Sequence, residues 1–272
     1  MPFFIVDQKI NIDLLTSQSD RRTIVQHELF ESSLDSFLAD GYISEILYVV
    51  KGGKEGTVYC CRGGPLAEAE LIAAKVYHPL QQRGFRNDAI YQESRLRGPA
   101  VRRERLAMSK KSSFGRRVQY GAWIGSEFET LAMLHQAGAD VPRPIARGEN
   151  AVLMEYIGDL TGAAPPLAQT ELPRHEARPL FERVLRNMAL LLDLDRVHGD
   201  LSPYNILYWR GAITIIDFPQ AIDSRFNPNA HELLQRDLAN VCRYFELYGV
   251  RTDPDRIAAR MWGAYRHGVA LT

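Results

Sequence analysis

The chain has 272 residues, 46% of them hydrophobic, and its 33 basic residues balance its 33 acidic ones. This length and apolar content allow a sizeable core in one large domain or two small ones, which excludes wholesale disorder. The balanced charge argues against a globally basic nucleic-acid coat. No apolar run reaches the roughly 18 residues of a membrane span, and three cysteines are too few for a disulfide scaffold. We therefore expect a cytoplasmic protein with reduced thiols.

The charges are unevenly distributed along the chain. Residues 1–50 carry eight acidic and three basic residues, whereas residues 81–120 carry eleven basic and three acidic residues. The second stretch also contains several glycines and a serine pair, so we interpret it as a long, partly mobile basic insertion. A solvated loop and a salt-sensitive RNA contact both remain open for it.

Hydrophobic patterning divides the chain into a strand-rich first part and a helix-rich second part. Short β-rich runs separated by glycine-rich turns predict three strands within residues 43–77. Apolar spacing predicts amphipathic helices over residues 125–136 and 178–197, and further helix from His231 onward. A hairpin is predicted to turn at Arg210-Gly211. The pattern indicates an α+β protein of two unequal lobes with a cleft between them.

The strongest chemical signal is the stretch HGDLSPYNIL followed by IIDFPQA. Asp200 is followed by Asn205 five residues later and by Asp217 twelve residues further on. Phosphoryl transfer from ATP needs these residue types in this order. Asp200 would orient the attacking hydroxyl, while Asn205 and Asp217 would supply the hard oxygen ligands that Mg²⁺ prefers. The hairpin between them returns the chain so that both ligands face one point.

A glycine-rich turn lies between the first two predicted strands. Gly53, Gly56 and Val58 match three positions of the kinase pattern G-x-G-x-x-G-x-V, whose first glycine is replaced by Lys51. Glycines let backbone N–H groups approach phosphates, and Lys51 or Lys54 would add positive charge. An ordinary hairpin turn is the alternative.

Lys75 lies in the next strand, where its ammonium is able to reach the α- and β-phosphates. Its predicted ion-pair partner is Glu127, with Glu129 as the competitor. We prefer Glu127 because it precedes the apolar ridge of its helix by one residue. The segment that ends the strand AVLMEYIG is predicted to link the lobes and to bind the adenine edge through the backbone of Glu155 and Ile157.

Together these stretches resemble the RIO family of atypical protein kinases from about Leu38 to Val250. Ordinary protein kinases usually have lysine where Ser202 stands and DFG where this chain has Asp217-Phe218-Pro219. The resemblance is carried by Gly41–Ile46 with Gly53–Tyr59, by Ala73–Tyr77, by Glu127–Ile145 and by the two motifs around Asp200 and Asp217. With only nineteen residues between Asp217 and Asp237, we expect the long activation segment of ordinary kinases to be missing.

The resemblance implies a trimmed bilobal protein-kinase-like fold, with a β-rich N-lobe and a mainly helical C-lobe. Residues 1–37 would form an N-terminal extension, residues 38–157 the N-lobe with its basic insertion, and residues 158–272 the C-lobe. The implied activity is that of a serine/threonine protein kinase or ATPase that uses ATP and Mg²⁺, with Asp200 as the catalytic aspartate.

The resemblance also bears on partners. A protein substrate stays unidentified, and self-phosphorylation would use Ser109, Ser112 or Ser113. Segment 81–120 would meet a ribosomal or RNA partner. Some members of the family are thought to act chiefly as ATPases in ribosome assembly, with phosphate passing through the metal-binding aspartate, whose position matches Asp217.

Two other functions stay open from the residues. One is a small-molecule phosphotransferase resembling aminoglycoside and choline kinases, although only about 50 residues follow Asp217, fewer than their substrate subdomain needs. The other is a catalytically silent scaffold that binds RNA through residues 81–120. The silent scaffold is disfavoured because the chain retains all four of the residues Lys75, Asp200, Asn205 and Asp217.

Overall fold

The first lobe is built on one antiparallel sheet. The computed structural model describes residues 32–53, 56–78 and 113–271, and the elements are numbered within that part of the chain. The five strands lie in the order β1-β2-β3-β5-β4. They are β1 (Ile43–Gly52), β2 (Gly56–Gly63), β3 (Leu71–Tyr77), β4 (Pro144–Arg147) and β5 (Ala151–Glu155).

A short helix closes one face of this sheet. A 3₁₀ turn at Ser32–Leu34 leads into helix α1 (Asp35–Ala39). Leu34 and Phe37 are buried in one apolar cluster with strand residues such as Ile72. The core of the first lobe therefore includes Leu34 and Phe37, which lie within residues 1–37, the predicted N-terminal extension.

Helix α2 (Ser113–Gln136) joins the two lobes. Ile124 packs with Tyr77 and Val152 of the sheet, whereas Leu131 and Leu134 belong to the core of the second lobe. The helix ends where it was predicted to end, with Gly138 in a left-handed conformation at φ +76°. Its start lies at Ser113, inside the segment 81–120 predicted as an insertion.

The second lobe packs three helices against short strands. The helices are α3 (Arg174–Asp193), α4 (Ala230–Glu246) and α5 (Pro254–Arg266). The short strand pairs are β6 (Gly158–Asp159) with β7 (Gly162–Ala163), β8 (Arg196–Val197) with β11 (Ile222–Asp223), and β9 (Ile206–Trp209) with β10 (Ala212–Ile215). Two further 3₁₀ turns lie at Leu167–Gln169 and Pro203–Asn205. The fold is thus α+β and kinase-like in its division into a sheet lobe and a helical lobe.

Helix α3 is offset from its predicted bounds. It begins at Arg174 and ends at Asp193, each four residues before the predicted position. Asp195 adopts a left-handed φ of +58°, which breaks the helical path. The chain then enters β8, so Val197 pairs with Ile222 in a strand. The predicted apolar face, by contrast, is buried as expected.

The predicted hairpin forms and brings two parts of the motif together. Trp209 pairs with Ala212, and the turn residues Arg210 and Gly211 have φ values of +51° and +81°. Positive φ at both central positions is the mark of a type I′ turn, whose twist suits a tight hairpin. At its open end the N–H of Ile216 donates to the carbonyl of Asn205 at 3.0 Å.

No helix in the described ranges is both long and apolar enough to cross a membrane. The three cysteines, Cys60, Cys61 and Cys242, are buried free thiols, as their small number predicted.

A buried polar cluster fastens the end of α2 to α3. The side chain of Asn187 is fully buried. Its Oδ1 accepts from the N–H of Asp140 at 2.6 Å, and its Nδ2 donates to Asp140 Oδ2 at 2.6 Å. Arg183 adds two hydrogen bonds to the same carboxylate, and the carbonyl of Asp140 accepts from the N–H of Ile215 at 2.7 Å. Asp140 therefore ties α2, α3 and β10 together.

Asn187→Ala is expected to lower the free energy of unfolding by about 1–3 kcal/mol, because it leaves the buried N–H of Asp140 without its partner. Urea denaturation followed by circular dichroism measures the change. The matched control is Arg178→Ala on the same helix, since that side chain is exposed. Equal stability of the two variants would contradict the role given to Asn187.

Candidate active site

One buried ammonium lies where three elements meet. Lys75 of β3 places its Nζ 2.7 Å from Glu127 Oε1 on α2 and 2.5 Å from Asp217 Oδ1, in the segment after β10. Lys75 and Glu127 are both buried, whereas the Asp217 side chain keeps 40% of its surface exposed. The contacts join the sheet, the connecting helix and the second lobe at one point.

The charges of this group stabilise one another. Burial alone would lower the pKa of the Lys75 ammonium, but the carboxylates of Asp217 and Glu127 outweigh it and the net pKa is raised. For Asp217, burial would raise the pKa, and Lys75 reverses this so that the pKa lies below its usual value. Asp217 is therefore an anion at neutral pH.

Tyr77 binds the second carboxylate oxygen of Glu127. Its hydroxyl donates to Glu127 Oε2 at 2.5 Å, and Tyr77 follows Lys75 by two positions on the same strand, so both side chains point to one face. Sequence reasoning missed Tyr77, although the alternation in KVY carried the signal. Glu129, the competing candidate, is exposed.

The loop that carries Asp200 is held by Asp237 of α4. Asp237 is 1% exposed, and its two oxygens accept from the N–H of Gly199 at 2.8 Å and of Leu201 at 3.0 Å. Burial raises the pKa of Asp237 to about 7, against the effect of these two N–H groups. Asp200 itself is exposed. Sequence reasoning used Asp237 only as a marker of chain length and missed this role.

Asn205 lies against the same loop. Its Nδ2 donates to the backbone carbonyl of Asp200 at 2.9 Å, which fixes the orientation of the amide. Asp217 reaches the region from the far end of the hairpin, in a left-handed conformation with φ +73°. A non-glycine residue in this region is strained, and such strain concentrates at functional sites. Asp200, Asn205 and Asp217 therefore share one neighbourhood.

His198 connects the two motif segments. Its Nε2 lies 3.1 Å from the carbonyl oxygen of Ile216, and its Nδ1 accepts from the N–H of Asp200 at 3.3 Å. These partners assign the ring proton to Nε2, which donates to the carbonyl. Burial lowers the pKa of His198 to about 4. The ring also packs against Phe218, with 4.9 Å between centroids.

The glycine-rich turn closes the β1–β2 hairpin beside this site. The N–H of Gly53 donates to the carbonyl of Gly56 at 2.9 Å, and a Cβ added at Gly56 would collide with the carbonyl of Val76. Val58 lies opposite Lys75 in the β2–β3 register. The charge of Lys51 helps to lower the pKa of Asp217. Lys54 lies outside the described residues.

The predicted linker begins where β5 ends. The N–H of Glu155 donates to the carbonyl of Arg143 at 2.8 Å, and the carbonyl of Ile157 accepts from the N–H of Ala164 at 2.8 Å. Next to it lies an apolar wall of buried and half-buried side chains from β1, β2, β3, β5 and the linker. Its members include Val50, Val58, Cys60, Ala73, Met154 and Tyr156.

Comparison with known proteins agrees with this geometry. A family model for the RIO domain matches residues 67–257. The RIO-type serine/threonine-protein kinase Rio1 of Haloferax volcanii is 31% identical over 226 residues, which cover 83% of this chain and 72% of the relative. Human serine/threonine-protein kinase RIO1 is 29% identical over 87% of this chain and 40% of its own length. The chain belongs to the RIO domain family.

This RIO protein shares its fold with a solved relative as well. The Rio2 kinase of Chaetomium thermophilum aligns with a TM-score of 0.58 at 18% identity, over 88% of this chain and 70% of the relative. The matched relatives are serine/threonine-protein kinases and the solved structure is a kinase, so the predicted enzyme class and kinase-like fold are confirmed. The comparisons favour neither the small-molecule phosphotransferase nor the silent scaffold.

Folding of this RIO kinase is expected to weaken in acid because of His198. In the unfolded chain the imidazole binds a proton near pH 6.5, whereas in the fold it does so only near pH 4. Above pH 6.5 the imidazole is neutral in both states and does not oppose folding. As the pH falls toward 4, the unfolded chain binds the proton first, and the free energy of unfolding decreases by about 3 kcal/mol.

Urea denaturation at a series of pH values measures this loss. His198→Gln is expected to show a flatter pH dependence, because glutamine does not charge. His175→Gln, at a side chain that is 82% exposed, should keep the native slope. Parallel curves for the native protein and His198→Gln would contradict the prediction.

Proposed function

We propose that this RIO kinase transfers the γ-phosphoryl group of ATP with Lys75 on the α- and β-phosphates and Asp200 orienting the nucleophile. The observation that carries the proposal is the Lys75 ammonium, bonded both to Glu127 and to Asp217. In kinase chemistry the lysine–glutamate pair positions the nucleotide, and the aspartate after the hairpin holds the metal. Both requirements would be met around this one ammonium.

The donor atoms fit a magnesium ion. Asp217 offers an anionic carboxylate that is partly exposed. Asn205 uses its Nδ2 on the Asp200 carbonyl, so its Oδ1 is the atom it offers to a metal. Mg²⁺ favours such hard oxygens and keeps several waters, so two protein ligands are enough. When bound, the ion would neutralise charge on the β- and γ-phosphates. The solved Rio2 relative is an ADP/Mg²⁺-phosphoaspartate complex, which supports this assignment.

Asp200 is suited to receive the proton of an attacking hydroxyl or water. Asp200 is exposed and lies near enough to Asp217 for the two charges to influence each other. Partial burial raises its pKa, an effect that Arg236 opposes and Asp217 reinforces. A general base works best when its pKa rises toward the working pH. The loop contacts of Asn205 and Asp237 hold Asp200 in place before the substrate arrives.

The remaining predicted residues would complete the nucleotide-binding site. Gly53 and Gly56 carry no side chain that would block the phosphates, so the backbone of the turn would be able to approach them, and Val58 would cover the adenine from the sheet side. Because the Ile157 carbonyl is already bonded to Ala164, Ile157 would offer the adenine edge its N–H. The carbonyl of Glu155 would take the exocyclic amine.

Partners beyond ATP are part of the same proposal. Ser109, Ser112 and most of segment 81–120 lie outside the described residues, and Ser113 is the first residue of α2. The excess of basic residues in that segment supports a phosphate-rich partner such as RNA. A protein acceptor, self-phosphorylation and the cytoplasmic location stay predictions.

Replacing Asp200 or Asp217 by asparagine is expected to lower phosphoryl transfer by at least about 10²-fold, because each change removes a charge used in the transition state. Asp217→Asn should also weaken nucleotide binding in the presence of Mg²⁺, whereas Asp200→Asn should not. Phosphate release and label transfer from γ-labelled ATP measure turnover, and a fluorescent ADP analogue measures binding. Asp255→Asn, on the exposed first turn of α5, is the control.

The position and chemical stability of the transferred label distinguish the possible activities. Label on protein that resists hydroxylamine indicates a serine/threonine kinase, whereas hydroxylamine-sensitive label that requires Asp217 indicates a carboxyl phosphate. Phosphate release without label indicates an ATPase. Full turnover in both asparagine variants would rule out the proposed function.

Glu127→Gln is expected to weaken nucleotide binding and turnover by about tenfold, because it removes one of the two charges that hold the buried Lys75. Glu129→Gln is a closely matched control, since it makes the same change two residues away at an exposed position. Titration with the fluorescent ADP analogue and steady-state phosphate release provide the two readouts. Equal effects of the two variants would contradict the assignment of Glu127.

A further inference from the structure

The loop around Asp200 lacks the positive charge that this loop carries in ordinary protein kinases. Their pattern H-R-D-L-x-x-x-N has arginine before the aspartate, where this chain has Gly199. Ser202 stands where they usually have lysine. Gly199 also has a left-handed φ of +79°, and glycine is the residue that gains most freedom when a loop loosens. The residue before the catalytic aspartate is thus uncharged and has no side chain of its own to hold it.

A guanidinium from another element lies at this point. Arg236 of α4 donates from Nη2 to the carbonyl oxygen of Gly199. Its charge is also the largest influence of a neighbouring ion on Asp200. Asp237, the next residue of α4, accepts the N–H groups of Gly199 and Leu201. Two consecutive residues of one helix therefore hold the backbone on both sides of Asp200.

We propose that Arg236 is the positioning residue of Asp200, and that it replaces in space the cation absent from the loop sequence. The proposal rests on the proposed function, because it takes Asp200 as the group that orients the nucleophile. Arg236 fixes the Gly199 carbonyl while Asp237 fixes the flanking N–H groups, so the peptide that carries Asp200 cannot rotate. The positive charge also offsets the mutual repulsion of Asp200 with Asp217 and Asp237.

The arrangement predicts a particular kinetic effect. A residue that orients the reacting group affects the chemical step, where a misplacement of about 1 Å is costly. A residue that merely supports α4 would lower stability and leave the rate of the folded fraction unchanged. Arg236 is exposed on its helix, so its replacement should spare the core beneath it.

The test compares Arg236→Gln, Arg236→Lys and the control Arg243→Gln, which changes another exposed arginine on α4. Phosphate release and label transfer are measured over a range of ATP concentrations, with folding checked by thermal denaturation. Arg236→Gln is expected to lower kcat by about 10–100-fold, with little change in KM for ATP. Arg236→Lys should recover part of the rate, because lysine keeps the charge but not the planar fork. Arg243→Gln should behave as the native protein.

An unchanged kcat in Arg236→Gln, a loss expressed only in KM, or a lysine variant no better than the glutamine variant would overturn the proposal. Hydrogen exchange over residues 198–205 tests the positioning role of Arg236 independently of the proposed function. If the native protein neither releases phosphate nor transfers label, the proposed function fails while the positioning of the loop is still decided by exchange. Faster exchange in Arg236→Gln than in Arg243→Gln supports the positioning role, and equal exchange refutes it.

Discussion

The organisation of the cleft depends on one ammonium that water scarcely reaches. A buried lysine without anionic partners would be strongly destabilising or would lose its proton. Lys75 avoids both because Glu127 and Asp217 approach it from two different elements. The sheet, the connecting helix and the segment after the hairpin must therefore take up their positions together. Removing one partner from such a group leaves a buried charge uncompensated, which makes the site and the fold interdependent.

The contact between Lys75 and Asp217 also affects how a nucleotide would bind. Asp217 is bonded directly to Lys75 in this structure, yet its side chain remains partly exposed. Phosphates and a divalent ion would have to exchange this contact for contacts of their own. The favourable charge balance is kept in that exchange, because the lysine gains phosphate oxygens while the aspartate gains a cation. The strained backbone of Asp217 indicates that the fold holds the carboxylate in place independently of the ligand.

The sequence identified the residues that carry the chemistry of the site more fully than the residues that hold them in place. The order of Asp200, Asn205 and Asp217 along the chain, and the turn at Arg210-Gly211, are local patterns that physical rules interpret directly. The Arg236 and Asp237 contacts to the Gly199 backbone join residues far apart in sequence, and no local rule connects them.

Errors in the predicted elements have equally local causes. β4 was missed because a strand of four residues that begins with proline, Pro144–Arg147, carries no alternation to detect. The start of α2 was placed too late because glycines and serines interrupt the apolar spacing before Gly125. The end of α3 was placed too late because Asp195 takes a left-handed conformation that apolar spacing does not register.

Helix α2 enters both hydrophobic cores, through Ile124 on one side and Leu134 on the other. Many signalling enzymes are switched off when the equivalent glutamate swings outward on a loosely held helix. Here Glu127 lies between these two packed positions, and Asp140 is bonded to α3 just beyond the helix. Such a helix cannot swing without opening two interiors at once. The packing of the helix in both lobes therefore supports the ion pair of Glu127 with Lys75.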